Sequence, residues 1–462
     1  MGMFLRVLLV LLSAGLGIVV FPSVGWFGLA VVAWVPLILA LQGVKTSHGF
    51  YLGLLHGALF YGVTLSWLVN IFKEMPYFVV PLVLILALFT GFFARGYALA
   101  HAHYGGGKSE WVVAFFAAVW WGAVEFFRCE IFVLKFPWMS PGVGLRPMWL
   151  SPWLGVYGIG FVLILGSALV CCRGRSPRLV GAVVLGVMLL SALFPKKTPA
   201  IDDPIKVMAV QSELTDGYQY VEMTQRAEQN VDLIVWPEYG IPTDIRKNQK
   251  QWLDLILLAK EKEAVMVVGT ETVVADGWFN TALTLDADGE LGDHYKNHTV
   301  HFFDDGTAGT EAKAINTPLG KVGTPICFDC DYEDVVRRMV ADGAEFLAIP
   351  SMDAEHWTAR EHHQHAELFR HRAAENARWM VVCATSGTTQ ILDPYGNRVV
   401  DIPLMKDGIL YGEIGRRNER TFYTRFGWVF PWFLMGTGSI WVVALFVRVL
   451  LEARKSARMN RN

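Results

Sequence analysis

Gly323-Thr324-Pro325-Ile326-Cys327-Phe328-Asp329 leads a short apolar run through a proline to a single thiol. The run reads as a strand ending in a sharp turn, with Cys327 at the turn. Two upstream stretches repeat the arrangement. Val235-Trp236-Pro237-Glu238 ends in a carboxylate and His294-Tyr295-Lys296 in an ammonium. A thiol becomes a useful nucleophile where a neighbouring cation or base favours its thiolate. An ammonium can steady a tetrahedral oxyanion, and a carboxylate can take a proton and return it. Glu238, Lys296 and Cys327 together are the parts for acyl transfer through a thioester. Each alone has a plainer reading: a helix-terminal charge, a solvated lysine, an inert core cysteine.

The surroundings of these stretches are unevenly apolar. The chain has 462 residues, of which 53% are hydrophobic, and a mean hydropathy of +0.36. Only 15 charged residues lie in positions 1–195, and no Asp precedes Asp202. A membrane half is thus joined to a soluble half. The formal net charge of −2 gives no reason to expect a nucleic-acid partner. The six cysteines are scattered and do not outline a disulfide framework.

A bilayer-crossing helix needs about 20 mostly apolar residues. Eight stretches qualify by pattern: 4–20, 25–42, 50–72, 77–99, 110–128, 153–172, 178–194 and 428–450. The expected organisation is a membrane domain of seven helices over 1–196, a catalytic domain over 198–425, an eighth helix at 428–450 and a basic cytoplasmic tail at 451–462. With a cytoplasmic N-terminus, 12 basic residues fall inside and 6 outside. That bias predicts a multi-pass protein of the cytoplasmic (inner) membrane, with its soluble block on the outer, periplasmic face. Glu125 and Arg128, three apart near the outer end of the fifth stretch, read as a surface pair rather than a functional one. Trp138, in Phe136-Pro137-Trp138, is either an interfacial anchor or a residue of the substrate entrance.

Within 198–425, short apolar strands alternate with helical stretches. Strands are expected at 207–211, 233–236, 265–269, 346–350 and 380–384, and helices at 220–229, 252–264 and 361–378. Asp286-Ala287-Asp288-Gly289 and Asp393-Pro394-Tyr395-Gly396 are hairpin signals. Neither a dinucleotide fingerprint nor a P-loop occurs. Cys327-Phe328-Asp329-Cys330 could be a redox or metal pair, though Glu238 and Lys296 would then be unexplained. His356, His362, His363, His365 and His371 lack the spacing of a zinc helix and read as solvated or structural.

The Glu238, Lys296 and Cys327 contexts, in this order, resemble the carbon–nitrogen hydrolase (nitrilase) superfamily. Arg372-Ala373-Ala374-Glu375-Asn376, Ser386-Gly387-Thr388 and Asp393-Pro394-Tyr395-Gly396 support the likeness. In the membrane half, Phe60-Tyr61-Gly62-Val63-Thr64-Leu65-Ser66-Trp67 and Phe136-Pro137-Trp138 look like the matching segments of the apolipoprotein N-acyltransferase family. The resemblance implies an α-β-β-α sandwich beside a multi-pass helical domain. It implies Glu238 as general base, Lys296 as oxyanion-stabilising cation and Cys327 as nucleophile, with no cofactor and no metal. It also implies a phospholipid acyl donor and a diacylated lipoprotein acceptor. Three segments depart from the family pattern. Val300-His301-Phe302-Phe303-Asp304 stands where the family has Val-Pro-Phe-Gly-Glu, so Asp304 is expected to take the glutamate's place. Phe328-Asp329 replaces Tyr-Glu, and Met352-Asp353-Ala354-Glu355-His356-Trp357 replaces Asn-Asp-x-Trp-Phe-Gly. Asp304 and Asp329 are expected at the rim of the site or just behind it. A membrane-tethered amidase and a catalytically weak lipoprotein-binding homologue remain as other readings.

Overall fold

The computed structural model describes residues 1–105, 110–213 and 216–459. Lys108 and Arg461, both counted among the basic inside residues, lie outside the described residues. The chain divides into two compact units. One comprises Met1–Arg146, Val156–Phe194 and Trp428–Asn462, and the other Pro147–Gly155 and Pro195–Gly427.

In the first unit, six helices among the described residues are long and apolar enough to cross a membrane. They are Met3–Val20, Pro76–Tyr104, Glu110–Ile131, Ser151–Val170, Arg175–Leu193 and Val429–Glu452. Two of the eight expected stretches differ. The segment at 25–42 is broken into Phe27–Leu29, Ala30–Ala33 and Val35–Leu41. Pro36 opens the last piece; lacking an N–H, it cannot continue the preceding turn. The segment at 50–72 is a helix at Thr46–Thr64 followed by a separate turn at Leu68–Ile71. Thr46, Ser47, His48 and His56 dilute its apolar character. This helix packs against Val79–Tyr104 through small residues. A Cβ at Gly53 would come within 2.5 Å of the Ala94 side chain, and one at Gly57 within 2.7 Å of the Ala87 backbone. Such close approach is how helices associate where no water drives them together.

One end of this unit is tied together by polar contacts. Arg6 Nη1 donates to the carbonyls of Ala40 and Gln42. Gln42 Nε2 donates to the Cys171 carbonyl at 2.9 Å. The Glu110 carboxylate accepts from the backbone N–H groups of Arg173 and Gly174 at 3.0 and 2.9 Å. The start of helix Met3–Val20, the turn at Gln42, the start of the helix at Glu110 and the turn at Arg173–Gly174 therefore share an end. Outward-facing Leu8, Leu12, Val183, Val187, Ile440, Val443 and Phe446 are exposed, as lipid contact requires.

The second unit is a sandwich of two six-stranded sheets. Its strands are β1 (Ile205–Gln211), β2 (Leu233–Val235), β3 (Val265–Val274), β4 (Gly277–Asp286), β5 (Gly289–Tyr295), β6 (Ile315–Thr317), β7 (Gly320–Gly323), β8 (Phe346–Ser351), β9 (Met380–Ala384), β10 (Gln390–Leu392), β11 (Arg398–Asp401) and β12 (Gly408–Ile414). The orders are β12-β1-β2-β3-β4-β5 and β11-β10-β9-β8-β7-β6. Period-two alternation builds the layers. Val207, Ala209, Val235 and Val267 face Val322, Phe346, Ala348 and Val381 in the core between the sheets. Met208, Val210, Ile234 and Met266 point the other way, onto Tyr220, Leu255 and Leu258 of helices Gly217–Arg226 and Gln249–Lys262. Leu347, Ile349, Met380 and Val382 pack on Val336, Met339, Phe369 and Ala373 of helices Asp334–Asp342 and Ala359–Asn376. The result is the expected α-β-β-α layering.

The expected sixth span carries the change of unit. Gly155 lies inside Ser151–Val170 at φ +61° and ψ −166°, a kink that only glycine adopts readily. A Cβ there would come within 2.3 Å of the Tyr423 ring.

A larger side chain at the helix contact has a defined cost. Gly57→Leu is expected to lower the yield of folded, detergent-extracted protein severalfold and its melting temperature with it, because backbone rather than a flexible side chain blocks the new atoms. Gly186, with nothing within 4 Å of a Cβ, is the control, and Gly186→Ala should leave both unchanged.

Candidate active site

The three residues singled out from sequence stand beyond strand ends. Pro237 stops the β2 run, and Glu238 follows it with Tyr239 at φ +55°. Lys296 directly follows β5, its N–H donating to the Asn280 carbonyl of β4 at 2.9 Å. Cys327 lies past β7 at φ +45° and opens a single 3₁₀ turn, Cys327–Cys330. A left-handed backbone is uncommon for a residue other than glycine, and such strain collects at functional turns.

Lys296 is 1% exposed and Glu238 2%. The Lys296 Nζ lies 2.7 Å from Glu238 Oε1 and 2.8 Å from Asp305 Oδ2. Asn280 Nδ2 lies 2.7 Å from Glu238 Oε1 and 2.8 Å from Asp305 Oδ1. The Tyr239 hydroxyl donates to Asp305 Oδ1 at 2.6 Å. Asp305 Oδ2 also accepts from the Val300 N–H at 2.9 Å. The carboxylate at Lys296 is therefore Asp305 and not Asp304, which is exposed. Two adjacent aspartates point opposite ways in an irregular loop containing Phe302 at φ +71°, and no sequence period distinguishes them. Asn280 and Tyr239 were likewise missed. Tyr239 adjoins Glu238, but nothing in a β-strand pattern marks Asn280.

Asp329 is fully buried rather than at a rim. Its Oδ1 accepts from the N–H groups of Asn297 and His298 at 2.9 and 2.8 Å. Its Oδ2 accepts from the Ile326 N–H at 3.1 Å and meets His294 Nε2 at 3.0 Å. One carboxylate thus joins the cysteine turn to the residues on both sides of Lys296. Cys330 is buried among Val335, Val336 and Met339, whereas Cys327 packs with Ala282 and Ile326. Those are the surroundings of a core cysteine and not of a redox partner.

The electrostatics have clear directions. Burial would lower the Lys296 pKa, but the Glu238 and Asp305 carboxylates raise it well above the ordinary range. Burial also works to raise Asp305, yet Lys296 and its hydrogen bonds pull it below the ordinary 3.8. The Asp305 contribution to stability is therefore lost as pH falls through the acidic range. Glu238 is raised, by burial first, with Lys296 opposing. The Cys327 thiol is raised well above 9.0 by burial and by Glu238, against the pull of Lys296. Both effects favour the neutral thiol at Cys327.

Other predicted residues are placed differently. Trp138 is 4% exposed and packs on Trp67 with ring centroids 5.0 Å apart. The Arg128 guanidinium holds its loop by donating to the Phe136 carbonyl at 2.6 Å and the Trp138 carbonyl at 3.2 Å. Within its unit Trp138 has the contacts of a loop anchor. Glu125 and Arg128 are buried and not a surface pair; Glu125 Oε2 accepts from Trp121 Nε1 at 2.7 Å. His362, His365 and His371 are also buried, which leaves the structural reading and removes the solvated one. Asp353, Glu361 and His365 place their ligating atoms within 4.8 Å of one another.

Residues 206–422 match the carbon-nitrogen hydrolase family, and residues 13–169 match the apolipoprotein N-acyltransferase N-terminal domain. The chain is 26% identical to the apolipoprotein N-acyltransferase of Geobacter metallireducens over 96% of this chain and 95% of that one. It is 27% identical to the Pseudomonas aeruginosa enzyme of that name over 88% and 89%, and 28% identical to that of Methylococcus capsulatus over 87% and 89%. Family matches and relatives alike make the chain similar to the apolipoprotein N-acyltransferases over most of its length. It is an acyltransferase whose C-terminal half has the nitrilase-type fold. Among solved structures, Saccharomyces cerevisiae Nit3, a member of the nitrilase superfamily, aligns over 47% of this chain and 93% of its own with 21% identity and a TM-score of 0.40.

Two outcomes follow from the geometry. Asp305→Asn should cost about 3 to 5 kcal/mol of stability, as breaking a buried ion pair does, while Asp304→Asn should leave the denaturant midpoint where it is. Alkylation of Cys327 by iodoacetamide, read by peptide mass spectrometry, should still be accelerating as pH passes 9.0. A rate that levels off near neutral pH would mean a preformed thiolate.

Proposed function

We propose that the protein moves a fatty acyl chain from a phospholipid, through a thioester on Cys327, to the N-terminal amine of a diacylglyceryl-cysteine lipoprotein. The observation that carries this reading is the buried Lys296 ammonium between Glu238 and Asp305, beside a thiol held at a strained turn, in a chain with six apolar helices of membrane-crossing length among the described residues. Relatives named apolipoprotein N-acyltransferase support the acceptor.

In the first half-reaction Glu238 takes the Cys327 proton as the sulfur attacks the ester carbonyl. Lys296 steadies the tetrahedral oxyanion. The intermediate collapses by breaking the bond to the glycerol oxygen, which leaves as the lysophospholipid alcohol with the proton from Glu238. In the second half the neutral amine attacks the thioester. Glu238 accepts the amine proton and passes it to the departing sulfur, so an amide forms and the thiol is restored. Asp305 and Asn280 orient Glu238 and Lys296, and Asp329 holds their loops to the cysteine turn. No cofactor or metal enters the scheme. A membrane surface favours transfer over hydrolysis by limiting water and concentrating a lipidated acceptor. We place the enzyme in the cytoplasmic membrane with residues 198–425 on its outer face, which the basic-residue bias supports.

Purified enzyme given phospholipid and a diacylated lipopeptide with a free N-terminus should yield the N-acylated peptide. Glu238→Gln, Lys296→Ala and Cys327→Ser should each lower the yield by about a hundredfold or more, and Cys330→Ala should not. Release of free fatty acid alone, indifferent to the lipopeptide, would assign the site to a hydrolase. For topology, a reporter inserted at Asp288 should behave as extracytoplasmic and one fused at Asn462 as cytoplasmic. The reverse pattern would rule out a lipoprotein acceptor.

A further inference from the structure

Two backbone segments wall the Cys327 thiol. One is the 3₁₀ turn that Cys327 opens, followed by Asp331, whose N–H donates to the Phe328 carbonyl at 3.2 Å. The other is the end of β8, where the Met352 carbonyl lies 3.6 Å from Cys327 Sγ and Asp353 follows. Helix Ala359–Asn376 crosses both. His365 Nδ1 lies 2.5 Å from Asp353 Oδ1, and its Nε2 lies 3.2 Å from Asp331 Oδ1. One turn earlier on the same face, His362 Nε2 meets the Ala354 carbonyl at 3.0 Å. All four side chains are buried. Gly387 makes the room, since a Cβ there would come within 2.1 Å of Asp353 Oδ2.

We propose that His365 is a positioning residue: a single imidazolium, held between Asp331 and Asp353, fastens together the two segments that wall the Cys327 thiol. This rests on Cys327 being the nucleophile. The charge arithmetic requires the cation. Asp331 and Asp353 flank one ring in a water-excluded place, and the adjoining Glu361 carboxyl, driven towards its neutral form, offsets neither. With a neutral imidazole the two aspartates would repel each other and pull the walls apart. Asp353, Glu361 and His365 also have the composition of a divalent-metal site. However, both ring nitrogens of His365 already face a carboxylate, so the imidazole supplies the positive charge itself.

The charged and titratable groups around the ring are Asp331 from the cysteine turn, Asp353 from the β8 end, and Glu361 and His362 from its own helix. Burial opposes the charged ring, and Asp353 and Asp331 outweigh it, raising His365 well above 6.5. Burial, Asp353 and Asp331 together keep the Glu361 carboxyl neutral well above the usual range. A raised histidine contributes in full below 6.5 and loses its contribution as pH rises through its elevated pKa. The fastening therefore fails on the alkaline side.

The test is a double-mutant cycle on the full-length enzyme in detergent, with melting temperature and acyl-enzyme formation as readouts. His365→Gln should lower the melting temperature and slow acylation of Cys327 by phospholipid about tenfold or more. Its alkylation by iodoacetamide, which needs no aligned carbonyl, should change less than about twofold. Adding Asp331→Asn to His365→Gln should recover part of both losses, because it removes one uncompensated carboxylate. Asp331→Asn alone should move the alkaline fall in melting temperature to lower pH, a readout that serves if His365→Gln does not fold. Strictly additive effects, or an unmoved alkaline fall, would overturn the proposal. So would a rise in wild-type melting temperature on adding zinc or manganese that His365→Gln abolishes. The melting cycle involves no acyl transfer, so a wild type that is never acylated would count against the function of Cys327 and not against the fastening.

Discussion

The catalytic unit depends on one buried ammonium. Lys296 has left water and lies between two carboxylates that come from separate parts of the chain. Desolvating such a group is offset only by near-ideal partners, and losing one partner leaves the other charge stranded. The β2 end, the β5 end and the loop at Asp305 must therefore close on each other together or not at all. The rest of the sandwich makes that closure possible. Period-two strands fill the core between the sheets, and the two helical layers seal the outer faces, so the strand ends meet in a dry place. Asp329 then joins the Lys296 loop to the cysteine turn with four hydrogen-bonding contacts.

A dry site also sets the resting state of the Cys327 thiol. Burial and Glu238 both favour the neutral form of the Cys327 thiol, and in the proposed mechanism the thiol reacts only when a substrate carbonyl is present and Glu238 takes its proton. A thiol guarded in this way is slow to oxidise. The cost is a narrow tolerance for displacement, since misplaced groups lose the benefit of pre-organisation. Strain at Cys327 and Tyr239 persists only because the surrounding contacts over-determine it.

Much of this was legible in the sequence, for identifiable reasons. The strands that hold the site are apolar runs with alternating faces, bounded by proline or glycine, and Glu238, Lys296 and Cys327 each follow such a run directly. What stayed hidden has no period. Asp304 and Asp305 are neighbours in an irregular loop, and only the fold turns the second towards Lys296. Asn280 sits in a strand where any small polar residue would fit the pattern. Asp331, Asp353 and His365 are separated in sequence and meet only through a helix crossing two turns. In the membrane half, hydropathy located the apolar stretches but did not register that Pro36 breaks the second into short pieces. It also treated Glu125 and Arg128 as surface charges, although packing against Trp121 and the Phe136–Trp138 loop buries both.

The account stands on Cys327 carrying an acyl chain with Lys296 and Glu238 beside it. The most direct measurement is the intact mass of the purified protein after incubation with a phospholipid of defined acyl chains. The account predicts a mass increase of one acyl group, mapped to Cys327, removed by hydroxylamine and absent in Lys296→Ala. An unmodified wild type under conditions where lipopeptide is still N-acylated, or an adduct on a residue other than Cys327, would contradict it.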